Sequence, residues 1–360
     1  MIAERFAAQL LTGPPARGPE EVTGRLLAVQ AQDPRGARLA IRPRSAGLTA
    51  ADVDRALTGG TLLITWLNRG TLHLVRREDY WWLHALTTPP LRVANARRLD
   101  QEGVTPEAAD RAVAVIERSL ADEGPLTRPQ LRDRIAAAGV RTEGQALVHE
   151  LMLACLRGIA VRGPMIGREH AYVLVREWLG PPRPFDRSEA VAELARRFLA
   201  GHGPADDRDL AKWAGIPLRD ARGGLTAISA ELIQRPDGLA DLAVLAGERD
   251  HGVPPPRLLG SFDPLLHGWV SREPILGQHT GIITVNGLFR PFALVEGRSG
   301  PSGRGRGSTR SLSRRGRSAW PRRRPTPAGP RAATPGITRR LSPAQLRLSP
   351  ARPGAPARLR

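Results

Sequence analysis

The stretch Thr61-Leu62-Leu63-Ile64-Thr65-Trp66-Leu67, then Asn68-Arg69-Gly70, then Thr71-Leu72-His73-Leu74-Val75 reads as two apolar or β-branched strands joined by a tight turn. Upstream, Thr49 is placed as an N-cap for a helix through Leu57 that stops at Gly59-Gly60. Before it, Ile2 to Leu11 and Val22 to Gln32 carry apolar residues at three- and four-residue spacings, separated by the breaker Gly13-Pro14-Pro15. Helices followed by a two-stranded hairpin predict a winged helix over residues 1–80.

The pattern recurs twice. Ala108 to Leu120 leads through Gly124-Pro125 to a helix near Leu131, and Glu189 to Leu199 leads through Gly203-Pro204 to a helix near Leu210. Further helices around Leu147–Leu156 and Leu218–Ile228 precede the strand pairs Ile159–Val161 with Ala171–Val175, and Leu232–Ile233 with Leu239–Leu245. Such internal repetition predicts three tandem modules. The expected organisation is a winged helix over 1–80, a helical connector (81–104) and second module within 81–180, and a third over 181–250. The fold class is mainly α with small β-hairpins. After Pro254-Pro255-Pro256, residues 251–296 read as a partial β-rich piece, with a hairpin over Ile282–Val295 turning at Asn286-Gly287.

Residues 297–360 hold 17 of the 54 basic residues and no acid, leaving 37 basic against 35 acidic residues before them. The formal charge of +19 therefore describes the tail, while the body is close to neutral. That tail of Arg, Pro, Gly, Ser and Ala has no periodic apolar face and is expected to be disordered. It reads either as a frameshifted terminus or as a basic segment making nonspecific phosphate contacts. Lys212 is the only lysine, and the arginine bias fits a GC-rich gene as well as phosphate recognition. The lone Cys155, in an apolar helix, is expected to be a buried thiol. No signal peptide or membrane span is read, so the chain is expected in the cytoplasm, as a monomer.

Two segments carry the chemistry. Gln30-Ala31-Gln32-Asp33-Pro34 closes an apolar run, and Arg69-Gly70-Thr71-Leu72-His73 lies in the hairpin. Residues two apart on a helix are rotated by about 200°, so Gln30 and Gln32 share a side only if the chain bends; Pro34, which disfavours helix at Asp33, supplies that bend. Together the segments resemble the start of the AlkZ-type winged-helix DNA glycosylases, in which a Gln-x-Gln element sits at the alkylated nucleotide. Ser261-Phe262-Asp263-Pro264-Leu265-Leu266 resembles that family's Phe-Asp-x-Leu-Leu segment, and the likeness runs over residues 20–297.

The resemblance implies a monofunctional hydrolase that excises bulky cationic N-alkylpurines from double-stranded DNA, crosslinks included, with Gln30 and Gln32 catalytic. A purine alkylated at its seventh nitrogen is already a good leaving group, so two amides that orient water and offer carbonyl oxygens to the sugar cation suffice. Asp33 is a neighbouring acid or base, or simply the residue that ends a helix before proline. Arg69 at the hairpin tip is expected to contact DNA; His73 either contacts DNA or packs on the sheet. Trp66, Trp81 and Trp82 are expected in packing. Scattered histidines, one cysteine and no phosphate loop imply no metal and no cofactor. The rival reading is a noncatalytic winged-helix regulator using Arg128, Gln130, Arg132 and Arg134 on the helix Thr127–Ala137. A pseudo-enzyme with a truncated β domain is a third.

Overall fold

The computed structural model describes residues 1–182, 184–247 and 252–301. Helix α1 (Ile2–Ala8) is followed by α2 (Pro19–Leu26), β1 (Val29–Gln30), α3 (Pro34–Ile41), α4 (Ala50–Thr58) and the hairpin of β2 (Leu62–Leu67) and β3 (Thr71–Arg76). Helices α5 (Tyr80–Thr87) and α6 (Pro89–Gln101) lead to α7 (Pro106–Glu123), α8 (Arg128–Ala137), α9 (Ala146–Leu156), β4 (Ala160–Ile166), β5 (Glu169–Leu174) and the short α10 (Val175–Trp178). Next come α11 (Arg187–His202), α12 (Asp207–Ala214), α13 (Leu218–Ala227), β6 (Leu232–Gln234), β7 (Ala240–Leu242) and α14 (Ala243–Ala246). The last elements are β8 (Arg257–Leu259), α15 (Glu273–Leu276), β9 (Phe292–Val295) and β10 (Arg298–Pro301).

One element order occurs three times: helix, an extended residue paired with a hairpin, two helices, hairpin. The extended residues are Val29 and Gln30 on β3, Leu126 bridged to Tyr172, and Ala205 bridged to Ala240. Local chemistry fixes the helix starts, because Thr49 with Asp52, Thr127 with Gln130 and Asp206 with Asp209 form reciprocal capping boxes. The first two hairpins join into one antiparallel sheet of order β1-β3-β2-β4-β5, with Ile64 opposite Arg162. Period-two alternation then sends Ile64, Trp66 and Leu74 into one core, and Leu63, Leu67 and Val75 into another. Both faces of β2 are buried, and Thr65 is the polar interruption on the second face. Trp66 packs beneath Arg162, whose guanidinium lies 4.9 Å from the ring. Trp81 and Trp82, both part-exposed, rest against the second core.

Three expectations need correction. The Val22–Gln32 helix stops at Leu26, because the apolar run Leu26–Val29 is as compatible with a buried strand as with a helix, and pairing with β3 decides for the strand. The Ile282–Val295 hairpin is reduced to one bridge, Ile283 to Phe289, around Gly287 at φ 72°; Phe292–Val295 pairs instead with β8 and β10. Order also continues past residue 296. Glu296 and Gly297, at φ 51° and 71°, turn the chain into β10, where the buried Ser299 hydroxyl donates to Ile275 O at 2.8 Å. Residues 302–360, and with them most of the expected tail, lie outside the described residues. No helix among the described residues is long and apolar enough to cross a membrane.

Cys155 is fully buried on α9, and burial pushes its thiol up to about 12. Glu150, on the same helix, is buried with neither carboxylate oxygen hydrogen-bonded to a described residue. Burial first, then the charge of Glu143, raises its pKa to about 7 from an ordinary 4.5. A folded-state pKa above the unfolded one gives stability that is complete below about 4.5 and is lost as pH rises through about 7. The loss is at most about 3 kcal/mol, less by whatever water screens the carboxylate. Glu150→Gln should remove that loss, so the melting temperatures of variant and parent should diverge as pH rises from about 4.5 to about 7 and keep a constant offset above it. Parallel pH profiles would show that Glu150 does not titrate in the folded chain.

Candidate active site

The chain enters the site through a reversal at Leu27, whose φ of 63° ends α2. Val29 then pairs with Leu74 and Gln30 with His73, and Ala31 N donates to Leu72 O at 2.7 Å. Asp33 caps α3 by accepting from Arg35 N at 3.0 Å, with Pro34 in the first turn. Asp33 thus has a structural task. The two glutamines therefore sit on a strand and the bend that leaves it, not on the last turn of a helix. Strand alternation brings residues two apart to one face, which a continuous helix would not do. Gln30 is buried at 6% exposure, whereas Gln32 is exposed and its Oε1 accepts from Leu72 N at 3.3 Å.

His73 faces Gln30 on one side and Thr65 of β2 on the other, so the three form a row across β1, β3 and β2. Around this row, polar atoms lack hydrogen-bond partners among the described residues: Gln30 Oε1, Thr65 Oγ1, Thr71 Oγ1 and both amide atoms of Asn68. Each unpaired buried group costs about 1–3 kcal/mol. These atoms give this end of the sheet a cluster of polar groups with hydrogen-bonding capacity not used by the described residues. His73 is 3% exposed, its Nδ1 lies 2.9 Å from Thr71 O, and burial, followed by the charge of Arg69, pulls its pKa down to about 3. It is neutral at physiological pH. The reading of His73 as a surface DNA contact gives way to an interior position beside Gln30.

The sequence reading missed His267, one residue beyond the Ser261–Leu266 segment it singled out. This buried ring stacks on Phe262 and lies 4.3 Å from Phe289. Burial holds its pKa well below the ordinary value, and Arg69, Arg272 and then His73 add to the effect, which places it within electrostatic reach of the glutamine row. Its loop is held against α3, since a Cβ on Gly36 would lie 2.3 Å from Ser261 O. Deeper down, Arg44 and Asp263, both fully buried, form a two-pronged ion pair of 2.7 and 2.9 Å. Arg44 also donates to Ala40 O and Gln9 Oε1, and Asp263 accepts from Leu265 N.

Arg69 does not extend freely from the hairpin tip. Its Nη1 donates to Lys212 O at 2.9 Å and Trp213 O at 3.0 Å, capping the C-terminal end of α12, while Gly215 packs against Asn68 O so closely that a Cβ would sit 2.8 Å away. Of the residues offered for a recognition helix on α8, Arg134 pairs with Glu123, Arg132 with Asp133 and Gln130 serves in the cap, while Arg128 is exposed. No residue of α9, the next helix, is exposed, so it cannot enter a groove.

A family described as DNA glycosylase AlkZ-like matches residues 23–300. An interstrand DNA cross-link repair glycosylase of Streptomyces sahachiroi is 26% identical over 333 residues, covering 83% of this chain and 85% of that protein. The structure of Streptomyces sahachiroi DNA glycosylase AlkZ is similar at a TM-score of 0.65 and 24% identity, with the same shares covered. The likeness to that structure concerns the fold. With the family match spanning most of its length, the chain belongs to the AlkZ-like DNA glycosylases, hydrolases of DNA repair.

Proposed function

We propose that this glycosylase hydrolyses the N-glycosidic bond of bulky cationic N-alkylpurines in duplex DNA, cross-linked purines included, with Gln30 and Gln32 as its catalytic pair. The observation that carries this reading is the orphaned Gln30 carbonyl beside Gln32, in a row with His73 and Thr65. The bond from C1′ to the purine nitrogen breaks with its electron pair going to the already cationic base, which leaves neutral. Water adds its oxygen to C1′ and gives its proton to solvent. Gln30 Oε1 has lone pairs free to stabilise positive charge on the sugar, and the exposed Gln32 amide orients the water. Neutral His73 adds no positive charge to oppose the cation. The name of the Streptomyces sahachiroi relative supports extending the substrate to interstrand cross-links.

The three repeats of element order support three tandem winged helices over 1–80, 81–180 and 181–250, followed by a β-rich piece from 251. The enzyme acts as a cytoplasmic monomer needing no metal or cofactor. Incubation of the full chain with duplexes carrying guanine alkylated at its seventh nitrogen, and with a cross-linked duplex, should release free base in the presence of a chelator. Release from neither substrate, with binding intact, would leave the noncatalytic regulator as the better account.

A further inference from the structure

Many arginines of the described residues are paired with carboxylates, among them Arg38 with Asp54, Arg157 with Asp110, Arg196 with Glu231 and Arg235 with Glu4, at 2.5–2.7 Å. Three cations beside the glutamine row converge without a carboxylate of the described residues in contact with any of them. Arg69, Lys212 and Arg272 form no ion pair among the described residues. They come from three separate places: the β2–β3 turn, the end of α12, and the loop that follows His267. Each is held by main-chain carbonyls instead, Arg69 by Lys212 O and Trp213 O, Lys212 by Val270 O at 3.1 Å, and Arg272 by Leu266 O at 2.7 Å.

Carbonyl anchors orient a cation without cancelling its charge. The Arg69 bonds use only Nη1 and the Arg272 bond only Nε, so the remaining N–H groups of both guanidiniums have no hydrogen-bond partner among the described residues, although the Arg272 guanidinium also lies 5.3 Å from the centre of the Phe289 ring. The charges act on one another: burial lowers the Lys212 pKa first, and Arg272 and Arg69 lower it further, opposed by Asp209. Arg69 and Arg272 likewise act together on His267. Convergent cations with no carboxylate in contact are stabilised by a bound anion, and a guanidinium fork matches two oxygens of a phosphate.

We propose that Arg69, Lys212 and Arg272 form a phosphodiester-binding subsite that seats the DNA backbone beside the nucleotide presented to Gln30 and Gln32. This rests on the glycosylase reading for its ligand. Arg69 then has two tasks, capping α12 and facing phosphate, which fits its exposure despite being docked.

The test measures binding of the full chain to a duplex carrying N7-alkylated guanine across a salt series. Lys212→Gln and Arg272→Gln should each weaken binding about three- to ten-fold at low salt and flatten the plot of log affinity against log salt by about one contact. Lys212→Arg should keep the parental slope, as should Arg141→Ala, which removes an exposed arginine between α8 and α9. Lys212 is the only lysine, so amine acetylation read by mass spectrometry reports on it and the N-terminus alone. The duplex should protect Lys212; inorganic phosphate at equal concentration should protect it much less. Parental slopes for both glutamine variants, or acetylation unaffected by the duplex, would overturn the subsite. Neither readout needs turnover, so failure of wild-type base release would count against the glycosylase reading alone.

Discussion

Single-turnover base release from a duplex carrying N7-alkylated guanine is expected to fall by about 10–100-fold in Gln32→Ala and in Gln30→Ala, with binding of the damaged duplex nearly unchanged. The two substitutions should differ in their effect on stability. Gln32 is exposed, with one long bond from Leu72 N, so its loss should leave the melting temperature where it was. Gln30 is buried with an unpaired carbonyl, so truncation removes an unsatisfied group while leaving a cavity. Its melting temperature should therefore hold or rise while activity falls, which is the mark of a residue kept for chemistry. Neither amide titrates and His73, at about 3, is neutral, so the rate of release should be flat through the neutral range. A steep limb there would point to an ionising base in place of the two amides. Wild-type rates in both variants would remove the pair from the site.

How far the sequence could lead to this site depends on the distance over which each contact acts. The turn at Asn68-Arg69-Gly70, the capping boxes at Thr49 and Thr127 and the repeated order of helices and hairpins are decided within a few residues, and all are legible. Gln30 and Gln32 are legible as a pair but not as a strand, because the preceding Leu26–Val29 is apolar throughout and only pairing with Leu74 and His73, more than forty residues on, sets the alternation. The fusion of two hairpins through Ile64 and Arg162, and the docking of Arg69 on the end of α12, are tertiary and leave no periodic trace. His267 is invisible for the same reason. As a single histidine after Leu265-Leu266 it looks like any other, and its meaning comes from lying near His73, Arg69 and Arg272 in space.

The contact that brings this loop to the glutamines carries the second large expected effect. Arg44 and Asp263 are 219 residues apart and fully buried, so each charge is balanced by the other, while Ala40 O, Gln9 Oε1 and Leu265 N complete their hydrogen bonds. Removing one partner strands a charge where water cannot reach it, which costs about 3–5 kcal/mol. Asp263→Asn and Arg44→Met should accordingly lower the melting temperature by roughly 10 °C. The same pair joins the turn after α3, whose first residues follow Gln32, to the loop that carries Phe262 and His267. Asp263→Asn should therefore also reduce base release when assayed well below its own melting point, whereas Glu150→Gln, away from this loop, should not. The double replacement Arg44→Met with Asp263→Leu separates the two roles. It removes both charges together, so most of the stability should return, but without the two-pronged bond the loop is no longer fixed to α3 and activity should stay low. Recovery of full activity along with stability would mean that packing at Gly36 and Ser261 places the loop and the ion pair does not. A stability change below about 1 kcal/mol in either single variant would mean that the buried charges have another source of compensation.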